Sequence, residues 1–250
     1  MKKLILSFLL SFLLVVNAWA GHFIRTSGGG ASPCMTGTYR LAWDGDYTAD
    51  TDAACDDAAA KVNGAVNGSL QIGTSYGEGG SVGIQADNAP ENIEWSDSGD
   101  DHIDGSGSMT YFFRLYISAV LDEDTTFYFA WDDNVSYNNF VYCDVDVNRT
   151  IQCAWRGNGT QVTHNSTDTI FTTTWTTIAF AVDNSSDDIS IKIGAGSWSD
   201  LTSGTVSNMT LDIAEIKLGT FDNDPGDTEY IRLDRHAIVT GYKASEPSGW

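Results

Sequence analysis

Apolar and polar residues alternate with a period of two along much of the chain after residue 109. Tyr111, Phe113, Leu115 and Ile117 are apolar at every second position, and similar short runs recur towards the C-terminus between polar turns. Because successive side chains of a strand point to opposite faces, the pattern predicts about ten strands at hairpin spacing with almost no helix. We expect residues 39–250 to form an antiparallel two-sheet β-sandwich.

The clearest alternation predicts a hairpin over residues 140–156. The odd positions of its two runs are apolar, namely Val141, Cys143, Val145, Val147, Ile151, Cys153 and Trp155. A three-residue loop centred on Asn148 would place Cys143 opposite Cys153 on the inward face, where a disulfide can form. The sequence by itself permits three pairings of the four cysteines, and four reduced thiols are the alternative.

The first twenty residues have the three parts of a secretory signal peptide. Lys2 and Lys3 form a basic start, residues 4–16 form an apolar run, and Ala18-Trp19-Ala20 is a small-residue cleavage motif. The apolar run is short for a membrane span, although an uncleaved anchor is the alternative. We therefore expect a secreted or cell-surface protein that has no membrane span once the signal is removed.

The oxidising environment outside the cytoplasm, to which the signal peptide would direct the protein, favours disulfides over free thiols. If Cys143 pairs with Cys153, then Cys34 is left to pair with Cys55 and would tie down the N-terminal segment. Residues 21–38, which include three consecutive glycines, are expected to form a flexible lead into the domain.

The charge of the chain is strongly negative, with 13 basic and 34 acidic residues and a formal net charge of −21. Such a surface repels phosphate backbones and anionic lipids, so nucleic acid is not an expected partner. The acidic residues are spread along the chain, which favours solubility as their main effect. Carboxylates held for Ca²⁺ are the alternative.

Several short motifs follow one another in a distinctive order. They are Trp43-Asp44-Gly45, a Gly-rich strand pair, the aromatic strand 109–116, a hairpin, the strand 175–183, and Asp212 and Asp234 in the closing strands. This order resembles the concanavalin A-like lectin and glucanase jelly roll, in its laminin-G-like branch. The resemblance implies two curved sheets, glycan binding on the concave sheet or the end loops, and frequent Ca²⁺ near those loops. Since the same fold also hosts glycanases and polysaccharide lyases, it leaves the function open.

Catalytic residues are not evident in the sequence. The Glu-x-Asp-x-x-Glu strand in which glucanases of this fold resemble one another is absent, and Glu91, Glu94, Glu123 and Glu215 stand apart. A lyase needs a Tyr or His base near a basic residue, and Arg235-His236 is the nearest match. The sequence therefore favours a non-catalytic domain, with a polysaccharide lyase or glycoside hydrolase as an alternative.

The even positions of the predicted hairpin carry groups that suit a sugar. They are Phe140, Tyr142, Asp144, Gln152 and Arg156. The expected register sets Phe140 beside Arg156 and Asp144 beside Gln152. Aromatic planes with nearby polar groups match the apolar face and hydroxyl rim of a pyranose. The alternative for these five residues is an ordinary outer face or a position beneath a second sheet. Trp198, predicted to lie in a loop, is a further candidate, and its alternative is a side chain that closes the edge of the sandwich.

Two Asp-rich turns offer oxygen ligands to Ca²⁺. Asp44 and Asp46 lie in the first, and Asp222, Asp224 and Asp227 lie in the second. Neither turn matches an EF-hand loop, and solvated turns are the alternative.

We therefore expect a non-catalytic, lectin-like domain that binds a glycan or polysaccharide. The alternative is a structural subunit of an extracellular filament, surface layer or virion. Self-association would then use residues 21–32 as a strand added to the sheet edge of a neighbouring copy.

Overall fold

A computed structural model describes residues 39–43, 51–53, 61–62, 65–96, 108–131, 139–157, 160–183, 188–202, 215–221, 225–226 and 228–246. Some predictions fall outside these residues, namely the signal peptide, the lead at 21–38, the Cys34–Cys55 disulfide, and the Ca²⁺ residues Asp44, Asp46, Asp222, Asp224 and Asp227. These remain predictions. In the described part of the chain, no helix has the length and apolar character needed to cross a membrane.

The described residues form seventeen strands. The first eight are β1 (Tyr39–Trp43), β2 (Thr51–Ala53), β3 (Lys61–Val62), β4 (Ala65–Asn67), β5 (Gln71–Gly73), β6 (Gly83–Ala86), β7 (Glu91–Ser96) and β8 (Met109–Ile117). The others are β9 (Thr125–Trp131), β10 (Phe140–Val145), β11 (Thr150–Gly157), β12 (Thr160–Thr169), β13 (Thr176–Asp183), β14 (Asp188–Ile193), β15 (Ser199–Thr202), β16 (Glu215–Thr220) and β17 (Ile231–Thr240).

The strands form two antiparallel sheets, which confirms the predicted all-β sandwich. The ten-stranded sheet has the order β15-β14-β13-β8-β17-β1-β2-β3, and β6 pairs with both β17 and β5. The seven-stranded sheet has the order β12-β11-β10-β9-β16-β7-β4. Neighbours such as β16 and β7 are distant in sequence, so the sheets depend on long-range pairing.

The hydrophobic core lies between the two sheets. On β8 its members include the four residues that the alternation predicts, Tyr111, Phe113, Leu115 and Ile117. The ring of Phe113 meets Phe127 edge-on at 5.3 Å and Tyr128 at 4.8 Å, measured between centroids. These contacts join the inner faces of both sheets, and aromatic pairs of this kind stabilise beyond their buried area.

A β-bulge turns two consecutive aromatic residues of β9 into the core. The register against β10 passes from the pair Cys143–Tyr128 to the pair Asp144–Thr126, so Phe127 is the extra residue. Phe127 and Tyr128 are therefore both inside. Strict alternation would place Phe127 on the same face as Phe129 and Trp131. Because of the bulge, Phe129 and Trp131 lie on the outer face instead.

The hairpin of β10 and β11 has the register that the sequence predicts. Cys143 lies opposite Cys153, and their sulfur atoms are bonded. The N–H of Asp146 donates to the carbonyl oxygen of Thr150 at 3.0 Å, which leaves a three-residue loop centred on Asn148. The Asp146 carboxylate also accepts the Thr150 N–H at 2.8 Å, so the loop is fixed from within.

Candidate functional site

The outer face of the seven-stranded sheet carries two cross-strand rows of side chains. The first row is Gln161, Arg156, Phe140, Trp131 and Glu215. The second row is Thr163, Ala154, Tyr142, Phe129, Lys217 and Glu94. The predicted residues Phe140, Tyr142 and Arg156 therefore lie together, with Asp144 and Gln152 paired further along the same hairpin face. We call this surface the hairpin face.

Aromatic rings pack against one another on the hairpin face. Phe129 lies at the centre, with its ring centroid 4.8 Å from Trp131, 5.6 Å from Phe140 and 5.1 Å from Phe221. Trp131 and Phe140 are each only 6% exposed, so their rings serve mainly in packing. Tyr142 lies 5.7 Å from Phe140 and keeps partial exposure. Of the two aromatic residues predicted on this hairpin, Tyr142 is therefore the one that a ligand could reach more easily.

Polar groups surround the exposed edge of Tyr142. The side-chain amide of Gln161 donates to the Tyr142 hydroxyl oxygen at 3.4 Å and to the Thr163 hydroxyl at 3.2 Å. Partial burial raises the pKa of Tyr142, and the nearby negative charge of Asp144 raises it further. The phenol therefore stays neutral at physiological pH and keeps its proton for donation. Gln161 and Thr163 were missed by sequence reasoning because β12 has no clear alternation.

Arg156 and an amide pair complete the polar part of the hairpin face. The Arg156 guanidinium lies 5.5 Å above the Phe140 ring, and among the described residues its buried Nε has no hydrogen-bond partner. Gln152 donates from Nε2 to the Asn165 side-chain oxygen at 2.8 Å, and this pair is exposed. The face thus presents a cation, amides and hydroxyls beside the partly exposed ring of Tyr142, and Phe129 and Phe221 are partly exposed as well.

The pairing of β16 with β7 brings together two carboxyl groups that stand far apart in the sequence. A side-chain hydrogen bond links Glu94 to Glu215. The Lys217 ammonium lies 3.3 Å from Glu94, and Asn67 donates to the same carboxylate at 2.8 Å. Partial burial raises the pKa of Glu94, but the hydrogen bonds and the charge of Lys217 outweigh it and hold the pKa below the usual value.

Trp198 lies on the opposite outer face of the sandwich, away from the other predicted binding residues. It packs beside Phe112, Ala179 and Val239, which form a small apolar cluster on the ten-stranded sheet. Phe112 points outward because its neighbour Phe113 belongs to the core. The sequence grouped Trp198 with the hairpin residues only by chemical type, and the structure separates them.

A cavity of about 340 Å³ opens beside Trp198. Its apolar lining comes from Phe112, Ala179 and Trp198, and its polar lining includes Thr177, Lys192, Lys243 and Glu246. The segment that carries Lys243 and Glu246 is held against β8, where the Ala244 N–H donates to the Thr110 hydroxyl at 3.0 Å. We call this space the Trp198 cavity.

The two lysines of the Trp198 cavity differ in their partners. Lys243 donates to Asp200 at 2.8 Å and lies 5.9 Å from the Trp198 ring centroid. Its hydrogen bond is the main reason that the pKa of Asp200 falls below the usual value. In the described part of the chain, Lys192 has neither a hydrogen bond nor an ion pair through its ammonium group.

The nearest sequence match to a lyase base does not form a site. His236 is completely buried and stacks on Phe113, so a substrate on either outer face cannot reach it. Arg235 instead pairs with the buried Asp234 at 3.0 Å. Among the described residues, no group of three or more His, Cys, Asp and Glu side chains is placed to hold a metal ion.

Neither a protein-family model nor a curated protein matches this sequence. Solved structures with a similar fold include the receptor binding domain of botulinum neurotoxin D, at 11% identity and a TM-score of 0.61, covering 82% of this chain and 50% of that one. The corresponding domain of the mosaic serotype C/D has 13% identity and a TM-score of 0.62 over 83% and 48%.

The binding domain of botulinum neurotoxin DC, solved in complex with SialylT, has 8% identity and a TM-score of 0.60 over 83% of this chain and 48% of that one. The present chain therefore spans about half the length of the solved domains that it matches. At such low identity the similarity shows a shared fold.

Proposed function

We propose that this protein is a non-catalytic carbohydrate-binding domain that takes a glycan on the hairpin face, beside Tyr142. The observation that carries the proposal is the placement of Tyr142, Arg156, Gln152 and Asp144 on one outer face by the β10–β11 register. A pyranose would lay its apolar face on the accessible ring of Tyr142. Its hydroxyls would exchange hydrogen bonds with the surrounding amides and with Arg156.

The packing beneath Tyr142 suits binding with little rearrangement. Phe140 and Phe129 support the ring from the same sheet face, and the Cys143–Cys153 bond ties the two strands that carry the site. Binding groups on rigid strands lose less conformational entropy than groups on loops. The site therefore needs little ordering when a ligand arrives.

The carboxylate geometry favours binding over glycoside cleavage. A retaining glycosidase holds its two carboxyl groups about 5 Å apart and an inverting enzyme about 6.5–9.5 Å apart. Glu94 and Glu215 are in direct hydrogen-bonding contact, and Lys217 and Asn67 also bind Glu94. The Glu94 carboxylate is therefore already bound by three neighbouring side chains, whereas a glycosidase needs both carboxyl groups free to act on the substrate.

The fold of the solved neighbours supports the proposal, since one of them is a binding domain in complex with SialylT. Membership of the concanavalin A-like superfamily, export by the N-terminal signal, secretion, and Ca²⁺ in the Asp-rich turns belong to the same proposal. Each is consistent with a lectin-like domain that acts outside the cytoplasm.

A glycan array comparing the wild-type protein with Tyr142→Ala tests the proposal. The wild type should bind a defined set of glycans, and Tyr142→Ala should lose that set while remaining folded. Phe171→Ala is the matched control, because Phe171 is an aromatic residue that is 68% exposed and lies in the loop before β13. Equal array profiles for wild type and Tyr142→Ala would exclude the hairpin face as the site.

A further inference from the structure

The Trp198 cavity is an open recess that is large enough to take a small molecule. Its volume of about 340 Å³ lies within the range of roughly 300–1,000 Å³ that is typical of such sites. Phe112 and Ala179 make an apolar floor, and Trp198 makes an aromatic wall. A flat ring with one apolar face fits this arrangement, since an indole offers the largest stacking surface of any side chain.

Of the two lysines that line the cavity, only one is paired with a carboxylate among the described residues. The chain has 13 basic against 34 acidic residues, yet two lysines line this one space. Asp200 neutralises Lys243 at 2.8 Å. Glu246 accepts from the Thr177 hydroxyl at 3.1 Å, and Thr177 also accepts from Arg114 at 3.0 Å, so this carboxylate belongs to a hydrogen-bonded network. Among the described residues that line the cavity, Lys192 is left as the ammonium group available to an incoming anion.

We infer that the Trp198 cavity binds a monosaccharide that carries a carboxylate, such as a hexuronic acid. The pyranose ring lies against Trp198 above the apolar floor, its carboxylate pairs with the Lys192 ammonium, and its hydroxyls donate to Glu246. A carboxylate on Lys192 forms a charge-assisted hydrogen bond, which is about twice as strong as a neutral one. This second site is independent of the hairpin face, because the two lie on opposite outer faces of the sandwich.

Titration calorimetry with two matched ligands tests the inference. Methyl β-glucuronide and methyl β-glucoside differ only at C6, where the first has a carboxylate and the second a hydroxymethyl group. The wild-type protein should bind the glucuronide about tenfold more tightly, as expected for one added charge-assisted hydrogen bond. Acetate at the same concentration should not bind measurably, because it has no ring to stack on Trp198.

Variants at Lys192 and Trp198 separate the charge from the ring contact. Lys192→Gln should abolish the preference for the glucuronide, and Lys192→Arg should restore it by keeping the charge. Trp198→Ala should weaken both ligands. Phe171→Ala, which alters an exposed aromatic residue outside both sites, should leave glucuronide binding unchanged, and the hairpin face is tested separately by the glycan array.

Four outcomes overturn the inference. They are equal affinity of the wild type for both glycosides, no saturable glucuronide binding at millimolar concentration, an unchanged preference in Lys192→Gln, and acetate binding as tight as that of the glucuronide. The last outcome would reduce the cavity to a simple anion site. Because Lys192 is partly exposed at the cavity rim, Lys192→Gln should fold normally, and its melting temperature verifies this.

Discussion

The imidazole of His236 is stacked on the ring of Phe113 in the centre of the core, with centroids 4.7 Å apart and planes inclined by 3°. Its Nδ1–H donates to the carbonyl oxygen of Phe112 at 3.0 Å, which fixes the tautomer. Burial lowers the pKa of His236 to about 4, although the hydrogen bond to Phe112 opposes this. The ring is therefore neutral in the folded protein at physiological pH, as a buried aromatic contact requires.

This burial predicts a loss of stability in mild acid. Between pH 6.5 and about 4 the unfolded chain binds a proton at His236 and the folded protein does not, so the free energy of unfolding rises with pH in this window. The contribution is fully present above pH 6.5 and falls by about 3 kcal/mol as the pH reaches 4. Urea unfolding at a series of pH values measures how the free energy of unfolding changes with pH.

His236→Phe is the control for the acid prediction. It keeps a ring against Phe113 and removes the titration of His236, so the part of the pH dependence that comes from His236 should be missing from the variant. The contributions of Glu91 and Asp234, whose pKa values burial raises, remain in both proteins. Glu78 and Asp200 have pKa values held low mainly by hydrogen bonds from Arg114 and Lys243, so their stabilisation is lost at lower pH in both proteins. Equal slopes for wild type and variant would contradict the assignment to His236.

The disulfide of the hairpin should contribute measurably to stability. Cys143 and Cys153 are separated by 10 residues, and closing a loop of this size in the unfolded chain corresponds to roughly 3 kcal/mol. A reducing agent should therefore lower the urea midpoint of the wild type. The double variant Cys143→Ala, Cys153→Ala should be insensitive to the reductant. A wild-type midpoint that does not move once thiol titration shows full reduction would contradict this prediction.

Local patterns predicted a large part of the fold. The hairpin register follows from the alternation on either side of Asn148, because a short loop fixes which residues lie opposite each other. The placement of Phe140 beside Arg156 follows from the same register. Residues that are close together in the sequence determine both features, so both can be predicted from one sequence without knowing which distant strands pair.

Long-range pairing explains what the sequence did not reveal. Glu94 and Glu215 meet because β16 lies beside β7, and no local pattern specifies that pairing. The bulge at Phe127 changes which side chains face inward without changing the residue pattern. Trp198 acquires its cavity from the segment at 241–246, which is remote from it in sequence. The sequence identified Trp198 as a binding candidate because it is an aromatic residue in a predicted loop. It gave no indication of the residues that Trp198 contacts.

Two substitutions on the hairpin face should affect stability and glycan binding to different extents. Phe140 is 6% exposed and packs against Phe129, so Phe140→Ala should lower the free energy of unfolding by about 3 kcal/mol. Tyr142 is partly exposed, so Tyr142→Ala should cost clearly less stability while removing glycan binding. Urea unfolding of both variants verifies the difference. If Phe140→Ala is as stable as the wild type, the aromatic packing beneath the proposed site is wrong.

Gly219 allows β16 to approach β7 closely. Adding a Cβ at this position should therefore destabilise the protein through a clash with β7, and this cost can be measured separately from the backbone strain. Its φ is +120°, and a Cβ at this position would collide with the carbonyl oxygen of Glu91 and lie 2.9 Å from the Cα of Asn92. Both obstacles are backbone atoms within β7, so the strands would have to separate. Gly219→Ala should therefore cost more than the backbone conformation alone explains, on the order of 3 kcal/mol or more.

Gly241→Ala is the matched control for this effect. Gly241 has a nearly identical φ of +115°, and nothing lies within 4 Å of the position that its Cβ would take, so only the conformational cost of about 1–2 kcal/mol applies. The difference in free energy of unfolding between the two variants, measured by urea denaturation, gives the cost of the clash with Glu91. Equal losses in both variants would mean that β16 and β7 can move apart freely. The close pairing that joins Glu94 to Glu215 would then not be enforced by the backbone.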